Sequence, residues 1–202
     1  ISATPAEQAT ALDVVRRTGE RLFVPLTLGG GIRVVDDVAR ALRAGADKVS
    51  MNTAAVERPA LLTEAAERFG SQCVVASIDA KRDGDRWTVW THGGRRPTPI
   101  DAIDWARECV RRGAGEILLT SIDADGGRRG YDLELTRRVA EAVDVPVIAS
   151  GGAGEPRHLV DAVLEGRADA VLLAGILHDG ETTIAALKHA MQDAGIAIRR
   201  VS

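Results

Sequence analysis

The segment Val145-Pro146-Val147-Ile148-Ala149-Ser150-Gly151-Gly152-Ala153-Gly154 passes from a β-branched apolar run directly into a glycine-rich turn. A helix-forming stretch follows, and then Gly166-Arg167-Ala168-Asp169-Ala170-Val171 opens the next apolar run. The same order stands 121 positions earlier: Val24-Pro25 leads to Gly29-Gly30-Gly31, then a helical stretch, then Gly45-Ala46-Asp47-Lys48-Val49, with one residue inserted before the later aspartate. Each copy reads as strand, tight turn, helix and second strand, the unit of a parallel sheet. Two copies, near 22–56 and 143–178, predict two related halves whose glycine-rich strand ends face each other across one mouth.

Outward from the repeat the same alternation continues. Short, nearly continuous apolar runs predict strands over 22–28, 48–51, 73–78, 116–121, 145–150 and 170–173, as expected of parallel strands buried on both faces. Amphipathic stretches between them predict helices over 34–44, 59–69, 100–112, 133–143, 156–165 and 182–194. Asp101 and Asp132 stand where helices start, and Gly45, Gly70, Gly113 and Gly195 where they stop. A hairpin is predicted around 83–90, with Asp83-Gly84 as its turn. The first element, a helix over 6–19, has no strand ahead of it. An eightfold βα barrel takes about 250 residues, and adding β–α–β in front of this chain completes both the strand and the helix count. The expected fold is therefore α/β, a (βα)8 TIM barrel truncated at the N-terminus, with its first strand, first helix and second strand absent. Residues 1–202 form one incomplete barrel domain on this reading. An open doubly wound sheet is the structural alternative.

Composition removes whole classes of function. With 26 basic and 29 acidic residues the net charge is −3, which argues against binding dominated by nucleic-acid phosphates. Aromatic residues at 3% are too few for a single-strand stacking platform. No apolar run approaches a membrane span, and nothing reads as a secretory leader. Two cysteines, Cys73 and Cys109, without a CxxC pair or clustered histidines, disfavour a disulfide framework and a structural zinc site, so a reducing cytoplasm is expected.

In a parallel βα array ligands bind at the carboxyl ends of the strands. Gly30 and Gly31 at the first repeat, and Ser150, Gly151 and Gly152 at the second, let backbone N–H groups approach an anion closely. Asn52 and Thr53 end the next strand after the first loop. Ala174 and Gly175 end the next after the second, offering backbone N–H groups alone. Two such cradles predict a long substrate with a phosphate at each end. Asp79 closes a very apolar strand, where a partly dry mouth tunes a carboxyl for acid–base work. The bland alternative is a loop-bracing aspartate. Lys81 either pairs with it or is solvated. Thr120 and Ser121 lie at the same rim. Asp123 and Asp125 lack further ligands for a metal, and Asp125-Gly126 reads instead as a turn facing the second phosphate. Arg128-Arg129 either steers an anion or is a solvated face. Among the histidines, His158 and His189 are expected on the surface of helices, His92 shows no ligand spacing, and His178 alone is a candidate for the mouth. Trp87, Trp90 and Trp105 are expected to pack, as are both cysteines.

Taken in order, Leu26-Thr27-Leu28-Gly29-Gly30-Gly31-Ile32-Arg33, Gly45-Ala46-Asp47-Lys48-Val49-Ser50-Met51-Asn52-Thr53-Ala54, Ile78-Asp79-Ala80-Lys81-Arg82, Gly113-Ala114-Gly115-Glu116-Ile117-Leu118-Leu119-Thr120-Ser121, Gly130-Tyr131-Asp132 and Ala149-Ser150-Gly151-Gly152-Ala153-Gly154 resemble the cyclase subunit of imidazole glycerol phosphate synthase, of histidine biosynthesis. The resemblance covers essentially the whole chain. It implies a barrel lyase that takes ammonia from a partner glutaminase subunit. The substrate is a bis-phosphorylated ribulosyl-formimino aminoimidazole carboxamide ribonucleotide, and the products are imidazole glycerol phosphate and aminoimidazole carboxamide ribonucleotide. It implies no metal or organic cofactor. By motif, Asp79 matches the second of two catalytic aspartates. Gly31, Asn52 and Thr53 match one phosphate site, and Asp125, Gly126, Gly152, Ala174 and Gly175 match the other. Lys48 and Glu116 match charged residues at the amino-terminal end of the barrel, where ammonia passes. Three departures stand out. The first catalytic aspartate, with its strand, has no counterpart, which predicts little or no activity for this chain as it stands. Gly127-Arg128 replaces the usual Thr-Lys, and Gly175 replaces a serine. The competing readings are the related aldose–ketose isomerase of the same pathway and a noncatalytic barrel fragment.

Overall fold

A computed structural model describes residues 5–199. In chain order the elements are α1 (Pro5–Gly19), β1 (Thr27–Gly29), α2 (Val35–Arg43), β2 (Lys48–Met51), α3 (Thr53–Glu57), α4 (Ala60–Phe69), β3 (Val74–Asp83), β4 (Arg86–Thr91), β5 (Arg96–Asp101), α5 (Ala102–Arg111), β6 (Glu116–Ser121), α6 (Leu133–Ala140), β7 (Val147–Ser150), α7 (Pro156–Leu164), β8 (Ala170–Leu172), α8 (Gly175–His178) and α9 (Ile184–Asp193). Six strands form one parallel sheet in the order β1-β2-β3-β6-β7-β8, with β4 and β5 antiparallel and off that path. The fold is thus α/β, a parallel sheet in barrel order, open between β8 and β1 among the described residues.

The sheet has two unlike faces. Val49, Met51, Val74, Ala76, Ile78, Ala80, Ile117, Leu119, Val147 and Ala149 alternate onto the outer face and are essentially buried, packed with helix residues such as Val38, Leu61, Leu62, Ala106 and Val139. The alternate residues Ser77, Asp79, Glu116, Leu118, Thr120, Ile148 and Ser150 point to the inner face and are half-buried. Period-2 alternation therefore assigns the side chains that face the concave side before any chemistry is considered.

The sequence repeat is a repeat of hydrogen bonds. Asp47 accepts from the Leu26 N–H at 2.8 Å and returns its own N–H to the Leu26 carbonyl at 2.8 Å. Asp169 accepts from the Val147 N–H at 2.9 Å and returns its N–H to the Val147 carbonyl at 2.9 Å. The aspartate common to both copies thus closes the amino end of a strand pair whose backbone groups would otherwise lack partners. Helix starts repeat in the same way. The Asp37 carboxylate accepts from the N–H groups of Arg33 (2.8 Å) and Val34 (3.1 Å). At the position 121 residues on, His158 Nδ1 accepts from Gly154 (3.1 Å) and Glu155 (3.3 Å). His158 is therefore buried and braces the second glycine-rich loop, correcting its expected place on the surface. Two N–H donors fix Nδ1 as an acceptor, so the ring proton sits on Nε2. Replacing His158 with Ala should cost about 1–2 kcal/mol by stranding both donors. Chemical unfolding measures it, and His158→Asp, which restores the first half's solution, should recover most of the loss.

Several boundaries differ from expectation for identifiable reasons. β1 is three residues long, not seven, because β2 offers partners from Lys48 onward; Leu22, Phe23 and Val24 are exposed, Phe23 at 95%. β3 runs five residues past Ile78 because β4 pairs with it antiparallel from Asp79↔Trp90 to Asp83↔Arg86. Those end pairs make Gly84-Asp85 the hairpin turn, in place of Asp83-Gly84. β5 takes the first two residues of the helix predicted over 100–112 and extends back to Arg96 through a stretch assigned to no element; as an edge strand it tolerates its prolines. Strict βα alternation fails at this lobe and between β2 and β3, where α3 and α4 follow one another. Asp101 and Asp132 do cap α5 and α6, and Gly45, Gly70, Gly113 and Gly195 take positive φ at helix ends.

Candidate functional site at the carboxyl rim of the sheet

All six parallel strands end on one rim, and Asp79 lies in the central strand where β3 leaves the parallel sheet. β2 pairs with β3 as far as Met51↔Ala76, while β6 continues to Asp79↔Thr120 and beyond. From Asp79 onward β4 occupies the side of β3 that β2 has left. Asn52, the residue after β2, reaches into that junction. Its Nδ2 donates to Asp79 Oδ2 at 2.8 Å and to the Trp90 carbonyl at 3.2 Å. Both partners are acceptors, so the amide orientation is determined. The next residue is held as well: the His92 N–H donates to Thr53 Oγ1 at 2.8 Å, with His92 itself at φ 55°. Burial pushes the Asp79 carboxyl above the ordinary aspartate range, the Asn52 amide opposes that, and the negative charge of Asp125 adds to it. The result is a carboxyl that retains its proton to higher pH, next to a second carboxylate.

The two glycine-rich loops flank this carboxyl in strand order, one after β1 and the other after β7. The first is open: a Cβ on Gly30, at φ +86°, would meet nothing within 4 Å. Its continuation is Asn52-Thr53, with Asn52 Nδ2 committed to Asp79 and the Trp90 carbonyl and Thr53 Oγ1 accepting from the His92 N–H. The second loop is tightly packed. Gly130 N–H donates to the Gly152 carbonyl at 2.9 Å, and a Cβ on Gly152, at φ +108°, would fall 2.1 Å from the Gly130 carbonyl oxygen. A Cβ on Gly151 would lie 2.8 Å from the Ser121 carbonyl and 3.3 Å from Asp125 Cβ. Asp125 is anchored by its N–H to the Ser121 carbonyl at 3.0 Å. Ser150 pairs in register with Thr120 and Leu172, and Gly126 is exposed beside them. Ala174 and Gly175 lead into the short helix α8, as Asn52 and Thr53 lead into α3.

Other candidates are placed elsewhere. Asp123 accepts the Arg82 N–H at 2.8 Å and so braces β3. No group of three His, Cys, Asp or Glu among the described residues is arranged to hold a metal ion. The Arg128 guanidinium is engaged by Glu181 (2.7 Å) and by Asp179, tying the β6–α6 loop to the segment after α8, which removes it as a free steering charge. His178 is exposed on α8 and His189 on α9. Cys73 and Cys109 are buried, and burial pushes the Cys109 thiol up to about 12, an inert packing group. Trp87 is fully buried, with its Nε1–H on Asp132 Oδ2 at 3.0 Å, and Trp105 is buried; Trp90 is half-exposed on the Asp79 side. At the opposite, amino end of the inner face, Lys48 and Glu116 begin β2 and β6 and form an ion pair across β3. Side chains 25% and 19% exposed put this pair between the surface and buried limits. Lys48→Met should cost about 2 kcal/mol by leaving Glu116 uncompensated, and adding Glu116→Leu should recover part of it, as a double-mutant unfolding cycle would report.

The sequence pattern missed the Trp90 carbonyl, the His92 N–H and His158. The first two sit on a lobe whose prolines masked its strand character. His158 was marked by its place opposite Asp37 in the repeat, a signal the residue type concealed.

Comparison with known proteins identifies the family. A family model described as histidine biosynthesis protein matches residues 1–183. The imidazole glycerol phosphate synthase subunit HisF of Myxococcus xanthus (strain DK1622) is 68% identical over 202 residues, covering all of this chain and 80% of that protein. Among the described residues no helix is long and apolar enough to cross a membrane. With the family model matching almost the whole chain, and the glycine loops and Asp79 at one rim, the chain belongs to the histidine biosynthesis protein family.

Proposed function

We propose that this chain carries the cyclase chemistry of imidazole glycerol phosphate synthase. It would use ammonia to convert a bis-phosphorylated ribulosyl-formimino aminoimidazole carboxamide ribonucleotide to imidazole glycerol phosphate and aminoimidazole carboxamide ribonucleotide. The observation that carries the reading is one raised-pKa carboxyl, Asp79, in the central strand between two glycine-rich strand ends on the same rim. In this role Gly30, Gly31, Asn52 and Thr53 take one phosphate. Thr120, Asp125, Gly126, Ser150, Gly151, Gly152, Ala174 and Gly175 take the other through backbone N–H groups and hydroxyls. The substrate's reacting centre then lies beside Asp79. A carboxyl whose burial raises its pKa holds its proton more readily than an ordinary aspartate, and can give it to a leaving nitrogen and recover one from the attacking amine during ring closure.

Ammonia reaches Asp79 along the inner face from the amino end, past the Lys48–Glu116 pair, where a glutaminase subunit docks. The setting is the cytoplasm. The name of the 68%-identical relative, a subunit of a synthase, supports an assembly of this kind. The test is incubation of the purified protein with the bis-phosphorylated substrate and an ammonium salt. Ammonia-dependent formation of imidazole glycerol phosphate is expected from a protein that carries both catalytic aspartates, and little or none from residues 1–202 alone. Conversion of an aldose to a ketose phosphate without ammonia would instead support the isomerase reading.

A further inference from the structure

The face that carries Asp79 does not end at the rim. Along β3 the same parity brings Lys81 and Asp83 onto it, and the antiparallel register places Trp90, Thr88 and Arg86 opposite Asp79, Lys81 and Asp83. Pro97 of β5 lies opposite Trp90 in turn. These strands enclose a solvent-open groove of about 400 Å³ lined by Lys81, Arg86, Thr88, Trp90, Pro97 and Pro99 among others.

The groove has an apolar floor and a basic rim. The Trp90 Nε1–H donates to Thr88 Oγ1 at 3.3 Å, which pins the indole along the strand. The Lys81 ammonium stands 5.1 Å from the centroid of that ring and forms no ion pair with any described residue. A cation over an indole face is held in place without being neutralised. Arg86 is drawn to Asp83 at 3.4 Å, the one carboxylate of the lining, and Arg82, also in the lining, is paired to Glu134 outside it. With Arg82 balanced by Glu134 and Arg86 by Asp83, Lys81 leaves the groove locally positive on a chain whose net charge is −3. A basic rim above an aromatic and proline floor suits a ligand with one phosphate and one flat ring.

We propose that this groove is a second binding site, for a ribonucleoside monophosphate. It is distinct from the two glycine cradles and lies on the outward path from Asp79. The choice of nucleotide rests on the proposed cyclase reading, in which a ribonucleoside monophosphate is one of the two products; the groove itself does not. The phosphate sits between Lys81 and Arg86, and the ring lies on Trp90 and Pro97.

Trp90 reports on the site directly, since Trp87 and Trp105 are buried. Tryptophan emission is titrated at low ionic strength with aminoimidazole carboxamide ribonucleotide, with the corresponding nucleoside lacking phosphate, and with inorganic phosphate. The expected result is saturable quenching by the ribonucleotide, at least tenfold tighter than by the nucleoside, and lost in Trp90→Phe. Arg86→Ala tests location, because residue 86 pairs with Asp83, four residues beyond Asp79 and about 13 Å along the strand. It should weaken binding about fivefold, as should Lys81→Ala. Unchanged affinity in Arg86→Ala, or binding abolished by Gly126→Asp at the second cradle, would place the ligand in the mouth and overturn the proposal. Absence of saturable quenching would overturn it too. Binding in the groove by a protein that carries both catalytic aspartates but shows no ammonia-dependent turnover would count against the cyclase reading alone.

Discussion

Asp79→Asn should lower ammonia-dependent turnover by roughly 10²–10⁴-fold in a protein that carries both catalytic aspartates, while leaving the affinity for the bis-phosphorylated substrate within a few-fold, because it removes the transferable proton and keeps the shape. The same substitution should stabilise the fold. Burial raises the Asp79 pKa in the native state, so the native chain holds this proton at pH values where the unfolded chain has released it. Stability is therefore lost as pH rises from the ordinary aspartate range through the raised native pKa. Asparagine does not ionise, so the variant should unfold at higher denaturant than the parent at neutral pH. That margin should narrow as the pH is lowered toward the ordinary carboxyl range. A variant that is inactive yet less stable at neutral pH would mean that Asp79 is an ionised, bracing carboxylate, the bland alternative for this residue.

Gly152→Ala is expected to produce the largest structural effect. Its Cβ would fall 2.1 Å from the Gly130 carbonyl oxygen, 2.8 Å from the Gly130 carbonyl carbon and 3.1 Å from Ala124 Cβ, at a φ of +108° that L side chains rarely adopt. Neither neighbour is the end of a flexible chain. The Gly130–Gly152 hydrogen bond that ties the β6–α6 and β7–α7 loops must break to admit the methyl group. A cost of roughly 3–5 kcal/mol follows, measured by urea unfolding, together with loss of phosphate affinity at the second cradle. Gly30→Ala is the internal comparison. It has a similarly positive φ of +86° but no atom within 4 Å of the added Cβ, so its cost should be conformational and near 1 kcal/mol. Equal costs at the two sites would show that steric packing of the second loop plays no part.

The parallel strands were legible because both faces of β3, β6 and β7 carry apolar residues, and the repeat located the two glycine loops. Asp79 was legible as a polar residue at the end of such a run. The lobe made by β4 and β5 was only half visible: Asp83-Gly84 signals a hairpin, but Pro97 and Pro99 conceal the third strand, and edge pairing leaves no periodic mark. That lobe holds Asn52 and Thr53 through the Trp90 carbonyl and the His92 N–H, contacts that side-chain patterns do not encode. His158 was misplaced because a histidine on an amphipathic helix looks solvated, whereas its Nδ1 does the work that a carboxylate does at Asp37. Arg128 stayed open between a steering charge and a solvated face because its partners, Asp179 and Glu181, lie about fifty residues away in sequence.

The most direct test is a crystal structure of the Asp79→Asn protein with the bis-phosphorylated substrate bound. One phosphate should lie against Gly31 and Thr53 and the other against Gly126, Gly152 and Gly175, with the atoms between them passing beside residue 79. Both phosphates on one side of the central strand, or residue 79 turned away from the atoms that join them, would contradict it.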